Sequence, residues 1–246
     1  MSYRDFAQFY DLLTENIDYR SFAEPYLKAL SSFNISKGSD LLDLACGSGN
    51  FSVVMKACGY NVTGADLSEE MLTAAAAKSD RVRWLRLDMT MLPFDSEFDS
   101  VICCLDSINH LEDRDAIKKT FGGVYRSLKK GGIFAADLNT PFKHMEVLAD
   151  NAFIFDYDGL FCSWQNELDP DSPLYRVDMF LDFFKENKDG SYTRYTDSLS
   201  EIAPEPEAVI QMLEDSGFAV KTVTDFPSGK KLSPQSEKYM VVAQKE

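Results

Sequence analysis

The chain has 246 residues, a formal charge of −15, 45% hydrophobic and 13% aromatic residues. That is enough apolar material for one large α/β domain, or for a domain with a sizeable insertion. Proteins that grip DNA or RNA need a basic face to displace counterions, so the charge excludes nucleic acid as the expected partner and favours a neutral or cationic small molecule.

In chain order, Tyr3, Phe6, Phe9, Tyr10 and Leu13 have helical spacing, and Ser21 to Glu24 reads as a capping box opening a second helix, with Pro25 in its first turn. Residues 1–34 are therefore expected to be two helices laid over the main domain. From residue 40 strands and helices alternate: a buried strand at 41–44, a helix at 50–58 closed by Gly59, a strand at 60–65, and a helix at 69–78 capped by Ser68. Strands at 82–87 and 100–105 follow, then a helix at 116–128 stopped by Lys129-Lys130-Gly131-Gly132 and a strand at 133–137. Between 152 and 200 three stretches alternate at period two, carrying Phe153/Phe155/Tyr157, Val177/Met179/Leu181/Phe183 and Tyr192/Arg194/Thr196, with an Asp189-Gly190 hairpin turn. This is read as an antiparallel sheet inserted after the fifth strand. A helix at 204–216 and strands at 218–226 and 239–244 complete the domain, the last strand antiparallel. The division is 1–34, then 35–151 with 201–246 as the ligand-binding unit, and 152–200 as a lid or dimer contact.

The segment Leu41-Leu42-Asp43-Leu44-Ala45-Cys46-Gly47-Ser48-Gly49-Asn50 is a strand, a tight turn and a helix start, the layout of a nucleotide-binding crossover. Glycine lets backbone approach a ligand where a Cβ would collide. The acid beside the turn would repel a pyrophosphate, which points to S-adenosylmethionine, with its positive amine and hydroxyl donors. Asp43 would meet the turn amides or, through water, the methionine ammonium; the plainer alternative is a capping carboxylate. Asp66 ends the second strand, where it can accept from both ribose hydroxyls; an NAD enzyme carries an acid there too. Asp88 and Met89 end the third, where they would meet the adenine amino group and ring, with Leu67 as a second wall. Ala45, Cys46, Asn50, Met71 and Leu105 complete the expected cofactor contacts, and Tyr10 and Arg20 could close over them or be purely structural.

Ligands of open α/β sheets bind where strand order reverses, so the loop Asp106-Ser107-Ile108-Asn109-His110 faces the reacting methyl. His110 is read as a general base or, equally, a packing histidine, and Asp106 carries the same two readings. Asn109, Tyr157 and Trp164 are the expected acceptor contacts; the aromatics of the insert either wall the acceptor pocket or fill a second core. Five cysteines without a Cys-x-x-Cys pair suit a reducing cytosol. With only two histidines no metal is expected. No apolar run reaches bilayer length and the N-terminus has no signal-peptide pattern, so neither membrane nor export is expected.

In this order the motifs resemble those of the class I S-adenosylmethionine-dependent methyltransferases, from about residue 35 to the end. The insert and N-terminal segment are similar to the bacterial small-molecule subgroup that includes sugar-nucleotide N,N-dimethyltransferases and glycine N-methyltransferases. The resemblance implies an α/β, Rossmann-like seven-strand sheet ordered 3-2-1-4-5-7-6, with S-adenosyl-L-homocysteine as product. Phe51 stands where the family's third glycine falls, and no Asn-Pro-Pro-Tyr follows strand four, which argues against DNA-adenine and protein-glutamine substrates. The expected activity is methyl transfer to N or O of a small molecule by a cytoplasmic monomer or homodimer. The alternatives are an NAD-dependent oxidoreductase, a catalytically silent S-adenosylmethionine-binding module and an RNA methyltransferase.

Overall fold

The computed structural model describes residues 6–246. It is an α/β fold with two sheets. Helix α1 (Phe6–Leu13) and helix α2 (Tyr19–Ser32) precede β1 (Asp40–Leu44), α3 (Asn50–Ala57), β2 (Asn61–Asp66), α4 (Glu69–Lys78), β3 (Arg83–Arg86), β4 (Phe98–Cys103), α5 (Arg114–Ser127) and β5 (Leu128–Asn139). A π-helical segment, Lys143–Leu148, leads into four antiparallel strands, β6 (Ala152–Tyr157), β7 (Leu160–Leu168), β8 (Val177–Glu186) and β9 (Tyr192–Glu201). Helix α6 (Pro206–Asp215), β10 (Ala219–Asp225) and β11 (Lys238–Gln244) close the chain.

The main sheet has the order β10-β11-β5-β4-β1-β2-β3. Strand β11 runs antiparallel to both β5 and β10 and the other pairings are parallel, which is the expected order 3-2-1-4-5-7-6. Its central strands β1, β4, β5 and β11 are largely buried because both faces are covered, while the edge strands β3 and β10 stay partly exposed. Leu42, Val101 and Phe134 pack under α5 and α6, while Leu41, Ile102 and Ala135 pack under α2 and α3. The four-stranded sheet has its own core, in which Cys162, Met179, Leu181 and Phe183 meet α1 through Phe6 and Phe9. The Phe9 ring stacks on Phe183 at 4.6 Å between centroids and meets Tyr195 edge-on at 5.3 Å. Among the described residues no helix is long and apolar enough to cross a membrane.

Three local expectations are corrected. Tyr3 lies outside the described residues. Helix α2 is capped by Asp18, not Ser21: the Asp18 carboxylate accepts from the Arg20 and Ser21 amides and the Ser21 hydroxyl at 3.0, 3.4 and 2.7 Å. A carboxylate is at least as good an N-cap as a hydroxyl and also complements the helix dipole, so the helix starts earlier and Pro25 falls in its interior. Lys129 to Gly132 is not a helix stop but the start of β5. The β4–β5 register shifts between Phe98↔Leu128 and Ser100↔Ile133, and a Cβ on Gly132 would lie 2.8 Å from the Asp99 carbonyl, so the glycines serve a bulge. The insert has a strand more than the three periodic stretches: β7 escapes the pattern because its inward positions include Cys162 and Asn166 beside Leu160 and Trp164. Asn166 is tolerated inside because it accepts from Trp164 Nε1 at 2.7 Å and donates to the Leu148 carbonyl at 3.3 Å.

Candidate active site

The sheet order reverses between β1 and β4, and the chain bends sharply at both carboxyl ends. Ala45, Leu105 and Asp106 are non-glycine residues in the left-handed region, with φ of 57°, 55° and 52°. Such conformations cost of order 1–3 kcal/mol each and persist only when surroundings hold them. Asp137 of β5, fully buried, holds the β4 end by accepting the Leu105 and Asp106 amides at 2.7 and 3.3 Å. It also accepts the Tyr26 hydroxyl and, at 3.3 Å, the Lys238 ammonium.

A cavity of about 770 Å³ runs along these strand ends. One end is lined by Ala45, Gly47, Asp66, Leu67, Asp88 and Met89, with Met71 and Leu105 adjoining. The other has a polar floor of Asp106, His110, Asn139, Lys143, Glu201 and Lys238. Phe6, Leu148, Trp164, Met179 and Leu199 make an apolar roof from α1 and the four-stranded sheet. Tyr10 lies between the ends, its ring 3.7 Å from where a Gly47 Cβ would stand.

Each acid at a strand tip has a distinct state. Asp66 accepts the Gly47 amide at 2.8 Å and the Ser68 amide at 2.9 Å, and burial raises its pKa. The glycine turn is thus tied to β2, not to Asp43. Asp43 is wholly buried beneath the turn; Ser52 donates to its Oδ2, and Oδ1 has no partner among the described residues. Burial, reinforced by the charge of Asp66 and opposed by the Ser52 hydroxyl, pushes the Asp43 carboxyl up to about 7. Asp88 accepts the Thr90 amide and hydroxyl at 2.8 and 2.7 Å. Burial opposes the charge on Asp106, but Lys238 at 2.8 Å, then Lys143 at 3.9 Å and His110, hold it well below the usual carboxylate range.

Some expected contacts stand elsewhere. Asp43, Gly49, Arg20, Asn109 and Tyr157 do not line the cavity. A Cβ on Gly49 would fall 2.6 Å from the Trp84 ring and 2.8 Å from Ala75, so this glycine serves helix–strand packing. Cys46 and Asn50 line a smaller recess beside Tyr19 and Cys104. Asn50 also joins a clasp in which Asp11 accepts from Ser48 Oγ, Asn50 Nδ2 and Lys78 Nζ at 2.5, 3.0 and 2.7 Å. Asn109 is fully buried and structural, donating to the Ile202 carbonyl at 2.8 Å and accepting the Asn139 amide at 2.9 Å. Tyr157 stacks against Phe155 at the end of β6. Lys143, Lys238, Glu201 and Asn139 were not anticipated; a polar residue at a strand end looks in sequence like any solvated one.

A methyltransferase-domain family profile matches residues 41–132, which span the glycine turn and the tips of β1 to β4. YqeM of Bacillus subtilis, whose name assigns it to the methyltransferases, is 34% identical over the whole chain and 98% of its own length. A crystal structure of an S-adenosylmethionine-dependent methyltransferase from Clostridium acetobutylicum superposes with a TM-score of 0.86 at 31% identity, covering 98% of each chain. The chain belongs to the S-adenosylmethionine-dependent methyltransferases. The sugar N-methyltransferase KedS8 of Streptoalloteichus shares the fold, with a TM-score of 0.77, 18% identity, and coverage of 96% and 93%. As a member of this family the protein is an enzyme that uses S-adenosylmethionine, and the oxidoreductase alternative falls away.

The residues present fit that cofactor. The orphaned Asp43 Oδ1 below the turn is a buried acceptor awaiting positive charge or a donor. Asp66 offers a carboxylate at the β2 tip, and Leu67, Met71, Leu87 and Met89 offer apolar surface beside Asp88. Asp106, His110 and Glu201 also bring one donor atom each within 4.8 Å of one another. The Lys238 ammonium already pairs with Asp106 there, an arrangement that neutralises the carboxylate and opposes a divalent cation.

Proposed function

We propose that the enzyme methylates nitrogen or oxygen of a small molecule, with the cofactor at the Asp66–Asp88 end of the cavity and the acceptor at the His110–Lys143 end. The observation that carries this reading is the continuity of the two ends beneath a roof of Trp164, Met179 and Leu199. Bound S-adenosylmethionine supplies an already activated methyl group. The protein's task is then to hold the acceptor lone pair in line and keep water out, and proximity of this kind supplies roughly 7–11 kcal/mol in well-aligned systems. In this reading Ala45, Gly47, Asp66, Leu67, Met71, Asp88, Met89 and Leu105 hold the cofactor, with Asp43 supporting the turn from beneath and Tyr10 over it. His110 removes the acceptor's proton, Asp106 orders the lysines, and Trp164 contacts the acceptor. The apolar roof over a polar floor suits an amphiphilic acceptor. The five cysteines are free thiols, which fits a cytoplasmic setting. No metal is needed for this chemistry.

Calorimetry with S-adenosylhomocysteine, followed by a radiolabelled methyl-transfer screen over amines, hydroxyl compounds and thiols, tests the proposal. Binding with transfer to a small amine or alcohol is expected. Binding with no transfer across the screen would leave a silent cofactor-binding module.

A further inference from the structure

Lys143 opens the π-helical segment just beyond the end of β5 and lines the acceptor end of the cavity, with its side chain 18% exposed. An ammonium carries three N–H donors. That of Lys143 gives one to Asn139 Oδ1 at 2.9 Å. Its nearest carboxylate oxygen, Asp106 Oδ2, stands 3.9 Å away, beyond hydrogen-bond reach. Other partly buried lysines are better served. Lys78 donates to Asp11 Oδ1, the Ser48 carbonyl and Asn50 Oδ1 at 2.7, 2.9 and 2.8 Å. Lys238 sits between two carboxylates, Asp106 at 2.8 Å and Asp137 at 3.3 Å. Among the described residues nothing else completes the Lys143 shell, so two of its donors are left for the cavity. Burial, helped by the charge of Lys238, pushes its pKa down despite the pull of Asp106. An anion seated against the ammonium would offset that desolvation.

We infer that the methyl acceptor carries a carboxylate and that Lys143 binds it. The inference rests on the proposed placement of the acceptor at this end of the cavity and narrows the acceptor to a class: a hydroxy- or amino-substituted carboxylic acid with an apolar body. The body lies under Trp164, Met179 and Leu199, and the nucleophilic nitrogen or oxygen turns toward the cofactor end. The protein's own carboxylates nearby are already engaged. Asp106 pairs with Lys238, and Glu201 accepts from Asn139 Nδ2 at 2.7 Å and faces His144 Nε2 at 3.3 Å and His110 Nε2 at 3.5 Å. Among the described residues no arginine lines the cavity, and Lys119, the third lysine of the lining, lies exposed on α5. The forked, multiple donors that suit a phosphate are therefore missing, whereas one carboxylate matches the one underused ammonium. The overall charge of −15 acts from a distance and is screened by salt, while the contact at Lys143 is direct.

Matched probes decide this in the full-length protein saturated with S-adenosylhomocysteine, which keeps the cofactor end occupied. Octanoate is compared with octanol, benzoate with benzyl alcohol, and both acids with phenyl phosphate, each titrated by calorimetry. At least one carboxylate is expected to bind roughly tenfold or more tightly than its alcohol. Lys143→Met, similar in length but uncharged, should erase that preference while S-adenosylhomocysteine binds as before, and Lys143→Arg should keep most of it. Wild-type protein in which neither carboxylate outbinds its alcohol overturns the inference without need of a variant. So does a preference that survives in Lys143→Met, or phenyl phosphate binding more tightly than both carboxylates. If S-adenosylhomocysteine itself fails to bind, the cofactor placement falls and the inference with it. If it binds and the carboxylate preference is absent, the inference alone falls.

Discussion

At the scale of single residues, the strand-tip acids do different work although they look alike in sequence. Asp43 has its pKa raised by burial, so its folded-state value exceeds its unfolded one. Its contribution to stability is complete below the unfolded value of about 3.9 and is lost as pH rises through about 7. Asp43→Asn should therefore gain on the wild-type protein by about 2–3 kcal/mol between pH 5 and pH 8, and cofactor-free denaturation curves at the two pH values check this. Asp66 already accepts the Gly47 and Ser68 amides, so its truncation loosens the turn as well as any ribose contact. Hydrogen bonds to a charged acceptor are worth roughly 1.5–3 kcal/mol each, so Asp66→Ala should weaken S-adenosylhomocysteine binding by about one to three orders of magnitude, read by calorimetry. The acids at positions 43, 66 and 88 could be found in sequence because each lies at or just past the carboxyl end of one of the alternating strands. Lys143, Glu201 and Lys238 could not, because their meeting depends on the return path of the four-stranded insert and on β11 pairing with β5.

At the scale of elements, α1 is a two-sided clamp. Its Asp11 grips the glycine turn with Lys78, and its Phe9 is stacked into the four-stranded sheet. The Asp11–Lys78 pair is partly exposed, which limits its worth. Asp11→Asn should speed S-adenosylhomocysteine release by roughly two- to tenfold, as expected for losing about 0.5–1.5 kcal/mol of hydrogen bonding, and stopped-flow dissociation measures it. Periodicity located α1, the alternating strands and helices, and the hairpin at Asp189-Gly190. It failed where local chemistry competed. Asp18 captured the helix start from Ser21, and Gly131 and Gly132 served a bulge inside β5. Buried Asn166 disguised the inward face of β7. The π-helical segment has no simple period, yet it delivers both Lys143 and His144 to the site.

At the scale of the whole molecule, the charge of −15 continues to the cavity mouth, where Glu112, Asp113 and Asp115 join Asp88. A polyanion approaching that mouth meets repulsion, least screened at low ionic strength. A gel-shift titration with tRNA at about 50 mM salt should show no retained complex; a salt-sensitive shift would return the RNA methyltransferase alternative to consideration.

The division of labour over the cavity has a consequence for how such enzymes diversify. The side of the cavity opposite the roof is assembled from segments scattered along the chain and includes costly backbone conformations at Ala45, Leu105 and Asp106. Trp164, Met179 and Leu199, by contrast, sit on one uninterrupted stretch that leaves after β5 and rejoins at Glu201. Exchanging that single cassette between related enzymes would re-tailor which molecule is accepted, while the machinery beneath it kept its alignment.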